Sequence, residues 1–155
     1  MRHIIACSAI RRHGGLLAAA LFSLQAGQAS GQPLTTAAVE KWLAGYERAW
    51  ESRDAARAAE LFAANASYHE MPFEAPKAGQ AGIREYWSSV TADQRDIDFK
   101  AQIIAVSGQT GVAHWSATFT AVSTGARVEL DGMFVLTFDA IGRCSELREW
   151  WHVKP

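Results

Sequence analysis

The sequence predicts an α+β fold, with helices leading and packed on one face of a curved antiparallel sheet. Two observations carry that expectation. Apolar residues recur at helical spacing up to about residue 90, and from Asp98 onward the period drops to two. The strand-like runs are also joined by short glycine-containing connectors, which fit hairpins and are too short for crossovers. Helices followed by a meander bury their apolar stripe and apolar face against each other, which is the layer arrangement of an α+β domain.

Each element follows from local residues. Pro33, Thr35 and Thr36 read as an entry turn and helix cap. Val39, Trp42, Leu43, Tyr46, Ala49 and Trp50 then form one stripe on a helix of about four turns, with Glu40, Lys41, Glu47, Arg48 and Glu51 on the opposite side. Asp54 caps a second, alanine-rich helix expected to reach Leu61-Phe62, and the short break folds the two helices back on each other. A strand is expected from Ala66 to Glu70, stopped by Pro72, which lacks a backbone N–H and biases Met71 away from helix. Gly79 and Gly82 flank a third helix, where Ile83, Tyr86, Trp87 and Val90 repeat the spacing. Four strands follow, from Asp98 to Ser107, Thr110 to Ser123, Arg127 to Asp139 and Cys144 to Val153.

Strand parity separates the faces. Between Arg127 and Asp139 the even positions Val128, Leu130, Phe134, Leu136 and Phe138 are apolar, whereas the odd set begins Arg127, Glu129 and Asp131. In the preceding strand His114, Ser116, Thr118 and Thr120 oppose Trp115, Ala117 and Phe119.

The chain has 155 residues, 49% of them hydrophobic and 20% charged, enough for one domain with a buried core. Residues 1–29 read as a secretory signal. Arg2, Arg11 and Arg12 form a basic region, Leu16 to Leu24 is apolar but too short to span a bilayer, and Gly27-Gln28-Ala29 offers small residues for cleavage. Residues 30–33 then form a short linker to a domain over 34–155, which would be periplasmic or secreted. The alternative is a cytoplasmic protein whose start codon is misassigned.

Cleavage removes three of the 15 basic residues and none of the 16 acids, so the formal charge moves from −1 to 12 − 16 = −4. An acidic domain without a basic cluster is a poor nucleic-acid binder, and no membrane span is expected in the mature form. Cys144 is left alone, which excludes an intrachain disulfide, and the scattered His69, His114 and His152 carry no metal-ligand spacing. No metal and no cofactor are expected.

The stretch Tyr68-His69-Glu70-Met71-Pro72-Phe73 sets two proton-transfer side chains side by side at a strand end, a usual place for ligand sites. In regular strand His69 and Glu70 face opposite ways, so only one can be central. Glu70 reads either as a base in an aromatic pocket or as a rim carboxylate paired with Lys77 or Arg84. Asp131 reads either as an acid–base partner of Glu70 or as part of an exposed charged face with Arg127 and Glu129, His114 either as such a partner or as a satisfied structural histidine, and His69 otherwise as a solvent or interface histidine. The aromatic residues Tyr46, Trp50, Phe73, Tyr86, Trp87, Trp115 and Trp150 are first of all packing residues, and some can line a space that accepts flat apolar molecules.

Several of these segments together resemble the SnoaL-like branch of the nuclear-transport-factor-2-like (NTF2-like) superfamily. They are Tyr46-Glu47-Arg48-Ala49-Trp50 with Asp54, the strand into His69-Glu70-Met71-Pro72-Phe73, Gly79 to Ile83 with Tyr86-Trp87, and the hairpin from Phe134 through Asp139, Gly142-Arg143 and Leu147 to Trp150-Trp151. The resemblance implies a cone-shaped α+β barrel with a pocket between helices and sheet, homodimerisation through the sheet's outer face, and diverse functions. By resemblance to ketosteroid isomerases, Glu70 stands where their general base does. Their second acid would fall near Phe134, which cannot donate a hydrogen bond, and this argues against steroid isomerisation as such. By resemblance to polyketide cyclases, Asp131 or His114 supplies an acid. The implied function is binding of a small apolar, cyclic or aromatic molecule, with cofactor-independent isomerisation, cyclisation or (de)hydration by a carboxylate. The alternative is a non-catalytic ligand-binding or dimerisation module.

Overall fold

The computed structural model describes residues 33–155, so the expected leader and most of the linker lie outside the described residues. Thr35 caps α1 (Thr36–Glu51), its hydroxyl oxygen accepting from the Ala38 N–H at 3.1 Å. All six residues of the expected stripe are buried, because helical spacing puts them on the side that meets the sheet. Asp54 caps α2 (Ala55–Glu60) by accepting from the Arg57 N–H at 3.0 Å.

This second helix stops short of the expected Phe62. Phe62 instead opens β1 (Phe62–His69), which pairs with a distant strand, and that non-local pairing overrides local helix propensity. A two-residue strand β2 (Lys77–Ala78) precedes α3 (Gly79–Ala92). Gly79 has φ +63°, and an added Cβ would lie 2.9 Å from the Ala64 carbonyl oxygen, so the entry to α3 requires glycine.

β3 (Gln94–Ser107), β4 (Thr110–Ala121), β5 (Arg127–Phe138) and β6 (Cys144–Val153) form the expected meander, with β3 starting four residues earlier than the sequence suggests. The sheet runs β2-β1-β6-β5-β4-β3; it is curved and does not close. Every pair is antiparallel except β1 with β6, which is parallel. No hairpin connects that pair, since α3 and four strands separate its members in sequence.

Between sheet and helices lies an aromatic core. Trp115 stacks on Phe134 at 5.2 Å, Tyr46 meets Phe134 edge-on at 5.3 Å, and Trp50 meets Trp87 and Trp115 at 5.5 and 5.8 Å. Gly132 makes this possible. A Cβ there would stand 2.7 Å from the Trp115 ring and 2.6 Å from the Trp150 carbonyl oxygen, so its missing side chain lets the indole lie on the sheet. Burial raises the pKa of the Cys144 thiol, which sits in the core and donates to the Glu146 carbonyl oxygen. That thiol is an inert packing group.

Candidate functional site

Strand parity builds the site. On β1, Ala66 and Tyr68 face the helices while Ser67 and His69 are less buried, and Glu70 follows immediately beyond the strand end. On β6, Leu147, Glu149, Trp151 and Val153 share one parity, and Arg148, Trp150 and His152 the other. Together with α1 and α3 these strands enclose a cavity of about 210 Å³, open on one side. Its walls include Glu70, Glu149, Tyr46, Tyr68, Tyr86, Trp50, Trp87, Trp115 and Trp151, with Phe119, Val128, Leu130 and Val153 toward one end.

Glu149 is the unusual member. It is only 6% exposed, and loss of water solvation drives its pKa up to about 8, with the Glu70 charge adding to the rise and the Tyr68 hydrogen bond opposing it. Near neutral pH it is therefore a carboxylic acid. Tyr68 donates to Glu149 Oε1 at 2.9 Å, which spends the single hydroxyl proton of Tyr68. The Tyr46 hydroxyl, 3.1 Å from that of Tyr68, then donates in turn. With Oε1 accepting, Oε2 is left to carry the acid proton of Glu149.

Burial and the Glu149 charge raise all three cavity tyrosines, so they remain hydroxyl donors. Tyr86 hydrogen-bonds to Glu70, whose carboxylate also lies 3.8 Å from the Lys77 ammonium. The cavity thus holds a carboxylate balanced by a cation at its edge and a neutral carboxylic acid on its floor. Trp50 donates to Gln94 Oε1 at 2.8 Å, whereas the buried indole N–H groups of Trp87 and Trp115 have no partner.

The structure brings Glu70, Tyr46, Trp50, Tyr86, Trp87 and Trp115 together and sets the other expected residues apart. His114 and Asp131 do not partner Glu70. Parity puts both on the outer sheet face, where His114 Nε2 and Asp131 Oδ2 pair with each other at 2.8 Å. His69 turns away as well, with Nε2 3.3 Å from Glu146 Oε1. Phe73 is 100% exposed in the loop after β1, and Trp150 is 48% exposed on the outer face. Its neighbour Trp151 lines the cavity instead. Tyr68, Glu149 and Trp151 were not anticipated, although one signal was available: in Leu147-x-Glu149-x-Trp151 a single acid interrupts an apolar parity.

A larger open groove of about 660 Å³ runs between α1 and the edge strand β3. Neither of its acids, Glu40 or Glu47, is buried. Among the described residues no three His, Cys, Asp or Glu side chains stand together as a metal site, and no helix is long and apolar enough to cross a membrane.

Residues 39–147 match the family described as the SnoaL-like domain. The chain belongs to that family. Solved structures agree on the fold of this SnoaL-like domain. SalBIII, described as an epoxide hydrolase/cyclase-like enzyme in pyran ring formation in the polyether salinomycin, is 21% identical with a TM-score of 0.64, covering 73% of this chain and 89% of that one. A protein of ketosteroid isomerase-like fold from Catenulispora acidiphila, in complex with trimethylamine, is 12% identical with a TM-score of 0.63, covering 71% and 84%. A ketosteroid isomerase-like protein from Erwinia carotovora atroseptica is 16% identical with a TM-score of 0.58, covering 73% and 92%. At these identities the likeness is one of fold. No curated protein matches the chain.

Proposed function

We propose that this SnoaL-like domain binds a small cyclic, largely apolar molecule and transfers protons on it without a cofactor, through Glu70 as base and Glu149 as acid. The observation that carries this reading is the pair of carboxyl groups in one aromatic cavity, Glu70 set against the Lys77 ammonium and Glu149 buried away from water so that it keeps its proton. Such a pair can take a proton from the carbon beside a carbonyl while a carboxylic acid hydrogen-bonds to the carbonyl oxygen. Isomerisation, cyclisation and dehydration all use that step. The cyclase-like and isomerase-like descriptions of structural neighbours accord with it.

The test is solvent deuterium exchange at the α-carbons of 4-methylcyclohexanone, followed by NMR. Exchange above the buffer rate that disappears in Glu70→Gln supports the reading; exchange at the buffer rate in the unaltered protein removes it.

A pairing of two copies through the outer sheet face is proposed as well. Trp150 is exposed there beside its cross-strand partner Met133, which puts two large apolar side chains next to each other on the outer sheet face. Sedimentation should show a dimer that Trp150→Lys converts to monomer. A monomer in the unaltered protein contradicts the pairing.

A further inference from the structure

The cavity is polarised along the strands. Glu149 is cross-strand partner to Phe134, Trp151 to Gly132 and Val153 to Leu130. The step from Glu149 to Val153 is four residues, about 13 Å of strand, and along it the walls change from buried acid and tyrosine hydroxyls to half-buried or exposed hydrocarbon. Val128, cross-strand to Phe119, extends the hydrocarbon end. The floor is therefore polar and the rim apolar, the reverse of a pocket that takes a greasy tail first.

The floor also restricts the charge of what it accepts. Glu70 is already set against Lys77, and Glu149 accepts from Tyr68. No Lys, Arg or His lines the cavity, so no cation there would neutralise an anionic head brought beside Glu70 and Glu149. Among the described residues the buried polar side-chain atoms without a partner, Trp87 Nε1 and Trp115 Nε1, are both donors, and an ammonium head offers nothing for a donor to bind. At about 210 Å³ the space is below the roughly 300–1,000 Å³ of drug-sized pockets, which suits one or two rings and is small for a four-ring skeleton.

Resting on the reading of this cavity as the substrate site, we propose that it selects an uncharged, single-headed amphiphile. The ligand is a one- or two-ring ketone or lactone whose acceptor oxygen enters first toward Glu149 and whose hydrocarbon end lies along Val128, Leu130 and Val153. The specificity-determining residues are then those of the rim, outside the acid–base pair.

The test uses 4-methyl-, 4-propyl- and 4-pentylcyclohexanone, with the matching 4-alkylcyclohexanecarboxylates and 4-alkylcyclohexylamines, titrated at neutral pH by quenching of the cavity tryptophans. Ketone affinity should rise about fourfold for each methylene that stays within the rim, and each acid and amine should bind at least about tenfold more weakly than its ketone. Val128→Asn and Val153→Asn, at half-buried and exposed rim positions, should flatten the chain-length dependence while leaving thermal unfolding near that of the unaltered protein. A flat series, equal or tighter binding of acids or amines, or no binding by any ketone overturns the proposal. Chain-length-dependent binding without α-carbon exchange keeps this proposal and removes the catalytic reading. Exchange without chain-length dependence does the opposite.

Discussion

Replacing Glu149 by Gln should make the protein more stable at pH 8 than the unaltered chain, while the two converge near pH 4.5. The sign follows from proton binding. In the unfolded chain Glu149 ionises near the ordinary value of 4.5, and in the folded chain near about 8, so between those values the folded state holds the extra proton. Stability from this group is complete below the unfolded pKa and is lost as pH rises through the folded one. At about 1.4 kcal/mol per pH unit, the full loss is on the order of 4–5 kcal/mol. Glutamine keeps an oxygen that can accept from Tyr68 and has no charge to desolvate, so it escapes the loss. Urea unfolding at pH 5, 7 and 8.5 checks this, and other titrating groups cancel in the difference between the two proteins. Parallel stability curves would show that Glu149 is solvated as an ordinary glutamate.

The second large effect is kinetic. Glu70→Gln should lower the α-carbon exchange rate of a bound cyclic ketone by about 10²–10⁴, the range associated with a positioned general base. Glu149→Gln should cost less, because an amide N–H can still donate to the carbonyl oxygen even though it cannot give up its proton. The pH profile separates the roles. In the unaltered protein exchange should fall above about pH 8 as the acid proton of Glu149 is lost, and in Glu149→Gln that upper limb should vanish. An upper limb that persists in the variant would assign the acid to another group.

The parts of this molecule legible in its sequence are those governed by local periodicity. The stripe from Val39 to Trp50 is the buried face of α1. The alternation around Trp115 and Phe134 separates core from outer face on β4 and β5. The parallel pairing of β1 with β6 was not legible, because it joins segments that no hairpin connects. That pairing also moved the end of α2 and the start of β1.

The site was half visible for a related reason. Glu70 could be singled out as a carboxylate at a strand end, but its partner had to be sought among residues of like chemistry, and His114 and Asp131 satisfy each other on the outer face. Glu149 looked like one of several charges in Glu146-Leu147-Arg148-Glu149 until strand parity set it among Leu147, Trp151 and Val153. Phe73 and Trp150 illustrate the limit of residue type alone. Both are large rings near the right segments, yet one sits in an open loop and the other on the wrong side of a strand.

The central feature of the cavity is a neutral acid, Glu149, buried in the same space as a second carboxyl group, Glu70. Carbon-13 NMR of the glutamate side-chain carboxyl groups across pH 3–10 observes that state directly. One resonance should titrate near pH 8 and be missing in Glu149→Gln, while Glu70→Gln should shift its midpoint downward by removing a neighbouring negative charge. A spectrum in which every glutamate titrates below about pH 6 would contradict the account.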